Sequence, residues 1–380
     1  MVHNKAVSDT FEIGVENYLA CGIKFRLHVE GEAISDAETY VGYYHKGLEK
    51  SFESKKYANI IPYMSRIDNS VPFSSEYPFV LACEYLANIE VSKRASYIRT
   101  VHAEIARIIN HIINIGNICN TVGMDNILSV SVKLKRQLVE IYTKTLDVRI
   151  QEGLFCLGGV RFDLSDDFVF GIKSFLNNEL SCFLEEVDKV VTNNYGFKVR
   201  TKDVGFVDFD QAMSLGFSGP CLRASGCVWD LRRKTSYGVY ADFDFEIPVC
   251  EAGDCYARCL VRFEEIKQSM AIINQALIKI PQGEIDVLSS GRNNKYSSIL
   301  SSYDIKPNDK DEVLSCVESP KGELGVFIVS DGTDKPYRCS IRTPSLAHAG
   351  SLNMLLKGSF ISDVPLIVAS LDVSSANIDK

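Results

Sequence analysis

The sequence predicts an α+β protein: a central helical bundle, a small N-terminal antiparallel sheet and a glycine-rich α/β extension. Three observations carry that expectation. Long stretches place apolar side chains three and four residues apart, as one face of a helix requires. Two other stretches alternate apolar and polar residues as strands do, near the N-terminus and again near the C-terminus. Between the helical stretches lies a glycine- and aromatic-dense segment whose apolar content is too high for a linker.

In chain order, residues 19–41 alternate loosely and are punctuated by Gly22 and Gly31-Glu32, which reads as a small antiparallel sheet. Leu48, Phe52 and Tyr57 fit a short helix, which Pro62 is expected to stop. Residues 1–68 thus form a β-rich first domain. From 69 to 195 the pattern is helical. Val101, Ile105, Ile108, Ile112, Ile115 and Cys119 line one face of a helix over Arg94–Cys119. The polar residues His102, Glu104 and His111 are expected on an exposed or inter-subunit face, because neither HExxH nor paired ExxH spacing is present. A further helix runs over Val130–Ile150, and Ser165 caps another that carries Phe168, Ile172, Leu176, Leu180, Phe183, Val187 and Val190. Residues 196–250 form the α/β extension. Residues 251–285 hold the core helix, capped by Asp254, striped by Cys255, Cys259, Phe263, Ile266, Met270, Ile273, Leu277 and Ile280, and ended by Pro281 and Gly283. Residues 286–315 are polar and serine-rich, a surface excursion. Residues 316–380 complete the core with a hairpin of Val326–Ser330 and Tyr337–Ile341 around Asp331-Gly332, then an apolar strand over Leu366–Asp372.

The chain has 380 residues, a net charge of −8, 24% charged and 46% hydrophobic residues. This is an ordinary globular composition, and its acidity argues against nucleic acid as a partner. No apolar run is long enough to cross a bilayer. The opening residues contain acids and lack both an apolar signal core and a basic, serine-rich presequence, so the chain is expected to be made where it works or already processed. Twelve cysteines occur without a CxxC pair. They read as reduced core residues rather than ligands, and no metal site is expected.

Two blocks are far more specific than any of these patterns. The first is GFSG-x-x-LRASG-x-x-WDLR followed by GD-x-Y-x-R-x-x-VR-x-x-E-x-x-QS, within Gly216–Ser269. The second is KGELGVFIVSDGTDKPYRCSIRTPSLAH, Lys321–His348. Together they resemble the 49-kDa subunit of respiratory complex I, a relative of the large subunit of nickel–iron hydrogenases, with weaker agreement from about Tyr40 onward. The resemblance implies a hydrogenase-large-subunit-like fold. Hydrogenases carry metal-binding cysteines in Arg-x-Cys-x-x-Cys and Asp-x-Cys-x-x-Cys. Here Arg66-Ile67-Asp68-Asn69-Ser70-Val71 and Asp372-Val373-Ser374-Ser375-Ala376-Asn377 stand there, without a cysteine. Nickel and iron need soft thiolates, so hydrogenase chemistry is set aside.

The resemblance also implies quinone-chamber positions, and this chain departs from the family at each. The family's histidine in the first sheet turn is replaced by the turn Ala20-Cys21-Gly22, its quinone-facing tyrosine by Asn69, and the aspartate that orients the histidine by Thr121. Near the terminal iron–sulfur cluster, a histidine is replaced by Gln151 and an arginine by Cys156. Trp229, Arg232 and Arg233 are assigned to a subunit interface or to pairing within the chain, rather than to solvent. The expected function is that of a core peripheral-arm subunit of complex I, forming the ubiquinone-reduction chamber with the adjacent subunit that holds the iron–sulfur cluster. This chain itself would bind no cofactor. Expected partners are that small iron–sulfur subunit, the membrane-arm quinone-channel subunit and ubiquinone, on the matrix side of the mitochondrial inner membrane. The alternative is a structural subunit of the same complex with a weakened or lost quinone site.

Overall fold

The computed structural model describes residues 9–16, 21–146, 153–235, 237–288, 305, 307 and 309–380. Ala20 and Gln151 lie outside the described residues, as do the first half of the 19–22 turn and most of the serine-rich excursion.

An antiparallel sheet of β1 (Asp9–Ile13), β2 (Lys24–Glu30) and β3 (Ala33–Tyr40) opens the chain. Phe25, Leu27 and Val29 alternate inward on β2, the period-two burial that a one-sided sheet needs. Then come α1 (Leu48–Phe52) and α2 (Tyr57–Met64). Pro62 lies inside α2 rather than before its end. The proline removes one amide donor near the C-terminus, and the helix stops two residues later.

The bundle is built from α3 (Pro72–Leu86), α4 (Lys93–Thr121) and α5 (Asp125–Leu146). Ser92 accepts a hydrogen bond from the Ala95 amide at 3.1 Å and so fixes the start of α4. This helix is buried nearly all round, which marks it as the central member. A two-strand ribbon, β4 (Phe155–Cys156) and β5 (Gly159–Val160), makes the glycine turn. Ser165 then caps α6 (Asp166–Phe175), which continues through a π-turn (Leu176–Leu180), α7 (Ser181–Val187) and a second π-turn (Asp188–Thr192).

The segment expected to be an α/β extension contains no strand among its described residues. It consists of α8 (Tyr195–Thr201), α9 (Phe209–Ser214), α10 (Gly219–Arg223), α11 (Leu231–Lys234) and irregular backbone. Its glycines serve close approach instead: Gly219 has φ +62°, and a Cβ there would lie 2.4 Å from the Gly322 Cα. The core helix α12 (Cys255–Lys279) is capped by Asp254, which accepts from the Ala257 amide at 2.7 Å. It packs against α4.

A second antiparallel sheet comprises β6 (Asp309–Ser319), β7 (Gly322–Asp331) and β8 (Pro336–Arg342). The β7–β8 hairpin is the expected one, whereas β6 starts inside the stretch assigned to the excursion. The chain closes with α13 (Pro344–Gly350), α14 (Leu352–Leu356), α15 (Val364–Leu371) and α16 (Ser375–Ile378). Leu366–Leu371 is therefore helical and not a strand. A short run that is apolar on every side suits a buried helix as well as a buried strand, and α15 is buried against α4 and α12. Among the described residues, no helix is long and apolar enough to cross a membrane.

Candidate functional site

The fold brings the two hydrogenase-like motifs together. Asp68, at the end of the turn before α3, and Asn377, on α16, occupy positions where hydrogenases hold metal with cysteine, and Asn377 Nδ2 donates to Asp68 Oδ2 at 3.5 Å. A lysine ammonium occupies this convergence. Lys321 Nζ lies 2.9 Å from Asp68 Oδ2, and both side chains are 4% exposed. Burial works against the Lys321 charge, but Asp68 and then Asp372 outweigh it and hold the ammonium above its ordinary range. Asp68 Oδ1 also accepts from the Ser70 amide at 3.1 Å. Asn110 on α4 donates to Asp372 Oδ2 at 2.6 Å, tying the C-terminus of α15 to the bundle. Asp372 itself has φ +55° as the left-handed cap of α15. Among the described residues no group of three or more His, Cys, Asp or Glu could hold a metal ion. The arrangement is a fixed cation between carboxylates.

The residues singled out from the sequence distribute unevenly around it. Cys21 is half-buried with φ +51°. Burial pushes its thiol up; Lys321 opposes this and Asp372 adds to it, which places Cys21 beside the cluster. A Cβ on Gly22 would meet Ser375 at 2.5 Å, so the turn also abuts the second motif. Asn69 is exposed, next to buried Asp68. These three therefore share one neighbourhood. Thr121 does not join them: it ends α4, eleven residues beyond Asn110, about 16 Å along the axis at 1.5 Å per residue. Its hydroxyl donates to the Ile118 carbonyl at 2.7 Å. Cys156 is buried in β4, its thiol pushed up to about 12 mainly by desolvation, and its carbonyl accepts from Arg99 at 2.9 Å.

Behind this site lies a buried ionic network. Glu104 accepts from Arg107 (3.2 Å), Arg232 (3.1 Å), Tyr240 (2.7 Å) and Ser269 (2.6 Å). Glu265 accepts from Arg223 at 2.7 Å and pairs with His111 Nε2 at 2.9 Å. Asp230 is bound by Arg232 at 2.7 Å, and Glu318 by Arg223 at 2.8 Å. The charged side chains of this network are at most 1% exposed. Desolvation raises the Glu265 and Glu104 carboxyls, but the guanidiniums beside them, Arg223 for Glu265 and Arg107 for Glu104, prevail and hold both below the usual range.

One expectation is corrected here and another is narrowed. His102, Glu104 and His111 do not lie on an exposed or inter-subunit face: each is at most 1% exposed. His102 Nδ1 pairs with the Tyr142 hydroxyl at 2.8 Å, while the other two belong to the network. Of the two places offered for Arg232, a subunit interface or pairing within the chain, the structure shows the second: it is fully buried and paired with Asp230 and Glu104. Arg233 stays exposed, its guanidinium 4.1 Å from the Phe245 ring centroid, and Trp229 is 39% exposed beside Lys234. The sequence signal for the network was available: an Arg or Glu at steps of three and four on otherwise apolar helices, at Glu104, Arg107 and His111 and again at Arg258, Arg262 and Glu265. Buried charge at helical spacing demands a partner.

Fold and site together define a mixed helical and small-sheet scaffold in which a buried lysine–aspartate pair ties the turn before α3 to the chain's C-terminal part. Comparison with known proteins is specific. The family described as the 49 Kd subunit of respiratory-chain NADH dehydrogenase matches residues 121–380. The D-type subunit of the NADH-quinone oxidoreductase of Ehrlichia ruminantium (strain Gardel) is 34% identical over 391 residues, covering 100% of this chain and 99% of that protein. Its counterpart in Orientia tsutsugamushi (strain Ikeda) is 37% identical over 94% of this chain and 93% of its own length. That of Rickettsia bellii (strain OSU 85-389) is 35% identical over 99% and 100% respectively. The chain belongs to the 49-kDa subunit family of respiratory-chain NADH dehydrogenase, a component of an oxidoreductase complex.

Proposed function

We propose that this chain is a peripheral-arm subunit that forms a ubiquinone-reduction chamber together with a neighbouring iron–sulfur subunit. The observation that carries this reading is the convergence of the Cys21-Gly22 turn, Asn69, the Asp68–Lys321 pair and Asp372 at one place in a family-typical fold. The chain supplies no cofactor ligands of its own in this reading. Ubiquinone enters the chamber, and electrons come from the cluster on the partner. The membrane-arm quinone-channel subunit is the second neighbour. The location we propose is the matrix face of the mitochondrial inner membrane; fractionation that placed the chain elsewhere, such as under a bacterial inner membrane, would overturn it.

A second reading is favoured by the substitutions themselves: the chain scaffolds the complex around a weakened quinone site. Tyrosine and histidine donors are absent at Asn69 and Cys21, and a lost hydrogen bond to a buried partner is worth about 1–3 kcal/mol. Each 1.4 kcal/mol in the transition state is about tenfold in rate. The test is restoration in the assembled complex with Asn69→Tyr and Cys21→His. A rise in quinone-dependent NADH oxidation supports the weakened site. Robust oxidation in the unmodified complex, unchanged or harmed by restoration, supports a chamber that works as it stands.

A further inference from the structure

Two side chains press on Gly22 and leave no room there for a third. Its φ is +79°, and a Cβ would lie 2.5 Å from the Ser375 Cβ and 2.8 Å from Cε2 of Tyr44. The Tyr44 ring is thus laid against the Cys21-Gly22 turn, beside the start of α16, and Cε2 is bonded to the ring carbon that bears the hydroxyl. Hydrogen bonds to the backbone hold the ring in this place. Asp379, 6% exposed, accepts from the Gly42 amide at 2.8 Å and from the Tyr44 amide at 2.9 Å, while its own amide donates to the Ser375 carbonyl at 2.8 Å. Residues 372–379 therefore touch every part of the convergence. Asp372 lies beside Cys21 and accepts from Asn110, Ser375 meets Gly22, Asn377 reaches Asp68, and Asp379 holds Tyr44.

Most donors around this point are committed. Lys321 and Asn377 serve Asp68, and Asn110 serves Asp372. Cys21 offers only a weak S–H donor, and Asn69 and Ser375 are short side chains. Of the neighbouring phenols, Tyr40 is bound to Arg26 at 3.1 Å and to Glu38, and Tyr43 neighbours the Lys24 ammonium. The Tyr44 hydroxyl has no hydrogen-bond partner among the described residues, and its side chain is 46% exposed although the ring is pinned. A quinone carbonyl oxygen accepts hydrogen bonds and donates none. What the turn lacks without a tyrosine at position 69 is a donor with reach, and a phenol is one. We propose that Tyr44 is a quinone-contacting residue of this chain, its hydroxyl donating to a quinone carbonyl oxygen beside the Cys21-Gly22 turn in place of the phenol absent at Asn69. This rests on the chamber reading given under Proposed function, and it commits that chamber to a working site. The donor arrives from the loop after β3 instead of the turn before α3.

The test uses the assembled complex and ubiquinone carrying carbon-13 at its carbonyls, so that the infrared band of the bound quinone is identified by its isotope shift. Hydrogen bonding weakens a C=O bond, and the band in the unmodified complex is expected below its position in a hydrocarbon solvent. Tyr44→Phe keeps the ring on Gly22 and removes only the hydroxyl. It is expected to move the band back up and to lower quinone-dependent NADH oxidation about tenfold, the worth of one such hydrogen bond. NADH oxidation by ferricyanide, which needs no quinone, is expected to stay unchanged. An undisplaced band in the unmodified complex overturns the proposal whether or not the variant assembles. So does quinone reduction that is absent from the unmodified complex, that Tyr44→Phe leaves unchanged, or that falls no further than ferricyanide reduction. Asn69→Trp, a bulky change at an exposed position, separates the two failures. If it blocks quinone reduction while Tyr44→Phe does not, Tyr44 alone is refuted. If neither variant alters quinone reduction, the chamber reading fails with it.

Discussion

Lys321→Met is the perturbation that most directly tests the buried Asp68–Lys321 pair. Methionine keeps the length of the side chain and removes the ammonium 2.9 Å from Asp68. Asp68, 3% exposed, then keeps only neutral donors, the Ser70 amide and hydroxyl and a long contact from Asn377. Breaking a buried pair by removing one partner costs about 3–5 kcal/mol, because the remaining charge stays uncompensated. The Ser70 donors offset part of this, so we expect a loss near the lower figure, about 3 kcal/mol, in urea unfolding of the full chain. Asp68→Asn with Lys321→Met removes both charges, keeps a hydrogen-bonding side chain at 68 and is expected to recover most of the loss, to within about 1 kcal/mol of the parent. If the single variant is as stable as the parent, Lys321 is not the cation that holds the two motifs together. If the double variant is as unstable as the single one, the loss comes from packing of the lysine stem and not from charge.

Further outcomes follow from the same structure. Glu265 and Glu104 are held below the ordinary carboxylate range in the folded chain, so their contribution is present above the unfolded value of about 4.3 and lost as pH falls through the lower folded values. Thermal unfolding monitored against pH should therefore lose stability steeply only in acid, and Glu265→Gln should flatten that limb. Gly219→Ala places a Cβ 2.4 Å from the Gly322 Cα at a φ of +62°. Left-handed strain alone is worth roughly 1–2 kcal/mol, so a loss above that figure is expected in the same unfolding assay.

Helix identity was legible wherever the apolar period ran long. The stripe from Cys255 to Ile273 and the cap at Asp254 lie where the pattern puts them, because one buried face and one satisfied N-terminus are local requirements. Leu366–Leu371 failed for the converse reason. A run apolar in every direction has no period to read, and what decides it is that α4 and α12 surround it. The segment from 196 to 250 misled through composition: glycine and aromatics suggested strands, but Gly219 is there so that the backbone of α10 can touch the turn between β6 and β7.

The same turn lies beside the charges of the most specific sequence block. For Arg232 the sequence left a subunit interface and pairing within the chain both open, and Arg223, Asp230 and Glu265 share its buried surroundings. Their partners are Glu104 and Arg107, more than a hundred residues upstream, and Glu318 on β6. Such pairs leave no local spacing to detect, although each charge on an apolar helix face announces that a partner exists. The network joins α4, α10, α11, α12 and β6 behind the hairpin that delivers Lys321. Residues 68–70 and 372–377 are tied to one another and to the bundle by the Asp68–Lys321 pair, the Asn377 contact to Asp68 and the Asn110 hydrogen bond to Asp372. Asn69 is exposed and Cys21 half-buried at a φ of +51°, so restoring the donors at those two positions separates chemistry from folding once the unfolding midpoint of each variant is measured beside its activity.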